Sequence, residues 1–358
     1  MARRKGMAAT LIAGLALATT AACSESDAEY VLHYTTYSSS SSDQSRSAQR
    51  WAEEVEKLTD GEVQVVFHYS QSLVGADETV QATLDGRADV AQVGSIYAAS
   101  DLSMYTVIEL PFETQNPEAH MRTIFRLYEE SPGYRDDFDR QGVRLLFPLP
   151  LGIMAMGLNE PAYSPDDLSG RSIRSGGLAS EVLLDSGVNP VAMTATDIYE
   201  SMERGIVDGY TALALANLST FGLTKVSPYI VDPGIGAYSS SIVVINEELY
   251  QSMPKEYQDA IDQASAMGID FGLEEMDVAA KIACDELDAA GSEFISFSDA
   301  DVEAWAEESK IADEWVARYD ERGYDAQSVL DDYREILADE ETKSDYDDPL
   351  VACMGGTL

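Results

Sequence analysis

Tyr30-Val-Leu-His-Tyr-Thr-Thr36, Val63-Gln-Val-Val-Phe-His-Tyr69 and Val90-Ala-Gln-Val93 are three β-rich runs in the first quarter of the chain. Between the first two lies Ser47 to Leu58, with apolar residues at Ala48, Trp51, Ala52, Val55 and Leu58, the spacing of one helical face. Between the second and third lies Glu78 to Leu84, a short helix closed by Asp85-Gly86. Strand, helix, strand, helix, strand at this pitch predicts a parallel sheet with crossover helices, hence an α/β fold.

Outward from that stretch the pattern repeats. Val143 to Leu149, Met154 to Leu158, Arg171 to Arg174 and Asn189 to Met193 read as strands, with helices over Leu178 to Asp185, Asp197 to Arg204 and Ala212 to Thr220. Ser239 to Ile245 is a late β-branched strand, and Pro254 to about Leu337 reads as almost entirely helical. Two α/β blocks joined by a strand that returns late predict two lobes around a ligand cleft, with a helical C-terminal region, the architecture of a periplasmic binding protein. Residues 30–150 plus 239–277 form the expected first lobe and residues 151–238 plus 278–340 the second, with 341–358 an acidic tail.

The charge excludes some partners. With 23 Lys and Arg against 64 Asp and Glu, the formal charge is -41, so phosphate backbones and anionic headgroups are repelled. No nucleic-acid partner is expected, and the composition, 45% hydrophobic, is that of a globular chain. An exported protein, or one kept soluble in high salt, has such a surface.

Residues 1–22 read as a signal peptide: Arg3, Arg4 and Lys5 precede an apolar stretch from Met7 to Thr20. Thr20-Ala21-Ala22-Cys23 resembles a bacterial lipobox, which makes Cys23 the lipidated residue and 23–29 a tether; an ordinary secretory signal is the other reading. The membrane is then met through the lipid anchor only, since no later run approaches the ~18 apolar residues a span needs. Removing residues 1–22 takes three bases and no acids, which leaves 20 bases against 64 acids and a mature charge of -44. Cys284 and Cys353 are the other cysteines, either a disulfide tying the acidic tail to the body or two free thiols. No Cys/His spacing suits zinc, and no cofactor motif occurs.

Several short motifs occur in one consistent order: Leu73-x-Gly75-x-x-Glu78, Gly86-x-x-Asp89, Leu110-Pro111-Phe112, Asp167-Leu168-x-Gly170-x-x-Ile173-Arg174, Gly187-x-x-Pro190, Tyr199…Gly205-Ile206-Val207-Asp208-Gly209, and Asn246…Leu249…Met253-Pro254. Together they span about 180 residues and resemble the solute-binding proteins of TRAP transporters, DctP type. The resemblance implies an extracytoplasmic protein, in the periplasm or on the outer face of the cytoplasmic membrane. It also implies partners: a small organic anion, and the small and large TRAP membrane subunits that receive it.

In that family an arginine at the position of Arg174 clamps the ligand carboxylate. The residues agree, since a guanidinium beside Ser175-Gly176-Gly177 and a helix start is a suitable carboxylate site. An arginine paired with a surface Asp is the alternative from position alone. Arg171, three residues earlier, points to the other face of the strand, toward solvent. Some family members carry a second arginine where Met154 stands, and an Asn where Ala212 stands. One charged arm and a more apolar wall favour a monocarboxylate with an apolar or aromatic body. Ser95, Tyr37, Tyr97, Tyr210 and Tyr238 lie near strand ends and complete the candidate lining, the tyrosines offering an apolar face with one polar handle. Trp305 and Trp315 read as core.

An ectoine-like solute or amino acid, a sensor partner in place of a permease, and a secreted hydrolase are the competing readings. Against the last, His33, His68 and His120 are the only histidines, two of them inside strands, and no nucleophile elbow or zinc-hydrolase motif is present.

Overall fold

The computed structural model describes residues 28–355, so the signal-peptide and Cys23 readings lie outside the described residues. Eleven strands occur among these: β1 (Tyr30–Thr35), β2 (Val63–His68), β3 (Val90–Gly94), β4 (Val143–Leu149), β5 (Met154–Leu158), β6 (Ser172–Ser175), β7 (Asn189–Ala192), β8 (Gly209–Ala214), β9 (Tyr229–Asp232), β10 (Ser241–Asn246) and β11 (Glu293–Ser296). They form two sheets, ordered β2-β1-β3-β10-β4 and β11-β9-β5-β8-β6-β7. In the first, β1 is parallel to β2 and β3, while β10 runs antiparallel between β3 and β4. In the second, β6 is parallel to both β7 and β8, and β5 is antiparallel to β8 and β9. The fold is mixed α/β, with helices packed on both sheets.

Local chemistry accounts for the first block. Ser42 caps the helix Asp43–Leu58 by accepting from Ser45 N–H, and Ala48, Trp51 and Val55 bury its apolar face. Trp51 donates its indole N–H to Ser265 Oγ at 3.1 Å, which ties this helix to the much later helix Lys255–Ser265.

Three strands depart from the sequence reading. β8 occupies part of a stretch read as helical from Ala212, because its Ala and Leu residues favour helix intrinsically. All six of its residues are buried in the middle of a sheet, and that packing overrides propensity. β9 has no counterpart in the sequence reading, and β11 interrupts a region read as helical; both are four-residue strands too short to show a period.

The chain crosses between the sheets through two short segments, 150–153 and 233–240, and a third time through the helices between β10 and β11. The two short crossings run side by side, with Met154 N–H donating to Gly236 O at 3.1 Å. Helix Gly268–Ala290 lies against the first crossing and the end of β4. A Cβ on Gly272 would come within 2.3 Å of Pro150 Cδ, and one on Gly268 within 2.4 Å of Phe147. This helix runs unbroken past residues 277 and 278, so a lobe boundary placed there cuts a continuous element. Helix Ala326–Glu341 likewise packs on helix Pro117–Glu130 of the first block, where Arg126 of the latter meets Glu340 at 2.6 Å.

Cys284 and Cys353 form a disulfide with Cα atoms 5.9 Å apart, which holds helix Pro349–Met354 on helix Gly268–Ala290. Asp348, just before that terminal helix, accepts from Ile153 N–H at 2.8 Å, so the acidic tail braces the first crossing. Trp305 and Trp315 are buried in the core, as their sequence context predicts.

Candidate ligand site

A cavity lies between the sheets, lined by Tyr37, Gln44, Ser95 and Tyr97 from the first block and by Arg174, Ala212, Asn217 and Phe221 from the second, among others. It encloses about 30 Å³, room for little more than ordered water. The walls are in contact across it.

Arg174 sits in β6 and is fully buried. Its Nε donates to Met193 O at 3.2 Å, Nη1 to Thr211 O at 3.0 Å and Nη2 to the Tyr97 hydroxyl at 3.2 Å. Among the described residues no carboxylate pairs with it, although acids outnumber bases almost threefold. A buried guanidinium held only by neutral oxygens is electrostatically unfinished, because the desolvation cost is not offset by an opposite charge.

Tyr37, Ser95, Tyr97 and Ala212 meet at this cavity. Tyr37 hydroxyl lies 2.6 Å from Ser241 Oγ, and burial raises its pKa well above the ordinary tyrosine value. Ser95 Oγ lies 3.1 Å from Ser239 Oγ. Ala212 adopts φ +60°, a left-handed backbone that breaks the alternation of β8 beside a register shift in the β5–β8 pairing.

Three candidates lie elsewhere. The Tyr210 ring covers Gly157, where a Cβ would come within 2.2 Å of Tyr210 Cζ, and its hydroxyl bonds Ser227 Oγ at 2.8 Å. The irregular backbone at Ala212 explains why Tyr210 turns inward while Ala212 faces the cavity. Tyr238 is buried with its hydroxyl 2.9 Å from Thr211 Oγ1, behind the lining. Met154 is buried in the core at the start of β5 and does not line the cavity.

Two further readings are corrected. Arg171 is half-buried, not turned to solvent, and donates to Glu160 O and Pro161 O at 2.7 Å each. The turn after Arg174 offers no free N–H at Leu178, because Glu109 Oε2 accepts it at 3.0 Å. Gln44, Asn217, Phe221 and Ser239 line the cavity and escape the sequence reading. The first lies between the serine-rich run 38–42 and the helix read from Ser47, a stretch that reads as loop, and the others lie next to strands whose ends the sequence misplaces.

The fold is thus two α/β sheets with a buried guanidinium lining the cavity between them. Residues 34–317 match the bacterial extracellular solute-binding proteins of family 7, DctP, and the chain belongs to that family. It is similar to the ectoine-binding periplasmic protein TeaA of Halomonas elongata, at 22% identity over 83% of this chain and 87% of that protein. It is similar to the C4-dicarboxylate-binding periplasmic protein DctP of Rhodobacter capsulatus, at 22% over 63% of this chain and 68% of that one. In fold it matches a marine-metagenome TRAP solute-binding protein specific for aromatic acid ligands, with a TM-score of 0.79 at 19% identity over 87% of this chain and 99% of that one. A TRAP solute-binding protein of Rhodoferax ferrireducens T118, in complex with copurified benzoate, gives the same four values. The family and these neighbours are solute-binding proteins, not enzymes.

Proposed function

We propose that this chain captures a small organic monocarboxylate with an apolar or aromatic body, closes its cleft on it, and delivers it to the membrane subunits of a TRAP transporter. The observation that carries the reading is Arg174: fully buried, lining the cavity, and without a carboxylate partner among the described residues. An incoming carboxylate supplies the missing charge, in a site where water is excluded and the attraction is strong. Leu151, Leu213 and Phe221 give the apolar wall that suits the ligand's body. An ectoine-like solute or amino acid carries a positive centre as well, and among the described residues no Asp or Glu lines the cavity to meet it. The two lobes gather around the two sheets, with closure pivoting on the crossings at 150–153 and 233–240. Lipidation at Cys23 would keep the protein at the outer face of the membrane.

The test is a thermal-shift and calorimetric screen of residues 24–358 against monocarboxylates, dicarboxylates, aromatic acids, amino acids and compatible solutes. Arg174→Ala is run in parallel and should cost about 2–5 kcal/mol of binding. At 100 times its Kd a ligand stabilises the fold by about 2.7 kcal/mol, which the screen detects. Hits confined to neutral solutes, or an affinity that survives Arg174→Ala within fivefold, would overturn the reading.

A further inference from the structure

The wall facing Arg174 carries a polar network whose amide groups leave one nitrogen without an acceptor. Thr36 Oγ1 accepts from Ser38 N–H at 2.9 Å, so its own proton is free to go to Gln92 Oε1. That contact sets the Gln92 amide, whose Nε2 then donates to Gln44 Oε1 at 2.6 Å and to Ser241 Oγ at 3.2 Å. With its oxygen occupied, Gln44 is left with its amide nitrogen. That Nε2 is buried and has no partner among the described residues, and Gln44 lines the same cavity as Arg174. A buried amide donor without an acceptor is unfavourable, so an acceptor brought by a ligand gains what water or protein does not supply.

We propose that Gln44 is a specificity-determining residue that donates from Nε2 to a neutral oxygen on the ligand, selecting hydroxy- or oxo-monocarboxylates over their oxygen-free counterparts. The inference rests on Arg174 being the carboxylate anchor. Gln44 comes from the first block and Arg174 from the second, so the two contacts are made from opposite walls and are completed together when the cleft shuts. A second carboxylate at Gln44 would meet a single neutral donor in a buried site, a poor exchange for its hydration.

Two matched pairs test this by calorimetry: 3-hydroxybenzoate against benzoate, and 4-oxopentanoate against pentanoate. The wild type should bind the oxygenated member at least tenfold more tightly in one pair or both. Gln44→Met and Gln44→Ala should each reduce that ratio below threefold, and the ratio within a pair cancels any general loss from altered packing. If the wild-type preference stays below tenfold in both pairs while Arg174→Ala abolishes binding, the Gln44 inference falls and the Arg174 reading stands. A preference that stays above threefold in either Gln44 variant also overturns it. If none of the four acids binds the wild type, or Arg174→Ala binds them unchanged, the anchor reading falls and this inference with it.

Discussion

The hydroxyl of Tyr97 accepts a hydrogen bond from Arg174 Nη2 at 3.2 Å and another from Ala195 N–H at 3.3 Å, joining the two walls of the cavity through one oxygen. Tyr97 comes from the short helix after β3, whereas Arg174 and Ala195 belong to the second block. Removing the oxygen leaves two donors short of an acceptor and loosens the guanidinium. Tyr97→Phe should therefore weaken binding of a carboxylate ligand about tenfold, roughly 1–1.5 kcal/mol. Calorimetry on a ligand from the screen measures it, and an unchanged Kd would remove Tyr97 from the site.

Glu109 makes a second link between the blocks. Burial pushes its carboxyl up to about 7, Glu181 adds repulsion, and the Leu178 N–H and the Ser95 hydroxyl act in the opposite direction. Tyr105 and Tyr238 also feel its charge. The unfolded chain releases this proton near pH ~4.3. Between that pH and about 7 the folded state holds a proton that the unfolded state has lost. Stability from this group is therefore complete below the unfolded pKa and lost as pH rises through the folded one. Asp43 and Asp348, raised by burial to about 6, act in the same direction at lower pH. Glu109→Gln should flatten the fall in urea midpoint between pH 5 and 7. Parallel slopes for variant and wild type would show that Glu109 does not titrate there.

The disulfide between Cys284 and Cys353 closes a loop of 69 residues. Restricting the unfolded chain over that length stabilises the fold by about 4 kcal/mol. Cys353→Ser should lower the unfolding free energy by that order, and dithiothreitol should do the same to the wild type only. Equal stability with and without reductant would refute it.

Sixty-four acids against 23 bases leave far more repulsion than the ion pairs can offset. Screening acts on both, and the repulsion is the larger sum. Unfolding midpoints should rise between about 0.05 and 1 M NaCl. A fall would mean that ion pairs such as Arg126 with Glu340 dominate the surface electrostatics.

The parallel start of the first sheet is legible in the sequence because β1 to β3 are compact β-rich runs, the first two separated by an amphipathic helix. Arg174 is legible as a cavity residue through the motifs on both sides of it. β8 is not, because an Ala-Leu run carries no strand signal, and its misplacement hides Asn217 and Phe221. The fate of Tyr210 is equally hidden, since it depends on a backbone irregularity at Ala212 and on the bare surface of Gly157, far earlier in the chain. Gln44 lies outside the helix read from Ser47 onward, and only the partners of Gln92 show which of its amide atoms is left over.

The position of β10 also orders events in time. It lies between β3 and β4, yet it is made about 150 residues after β3 and about 90 after β4. Until the chain through residue 246 is available to fold, the edge of β3 away from β1 is open and β4 has no partner strand. Ser239, part of the cavity wall, arrives with the same segment. The first sheet and the cavity wall are thus completed by one late step, and any fragment that ends before it is prone to aggregate rather than to fold.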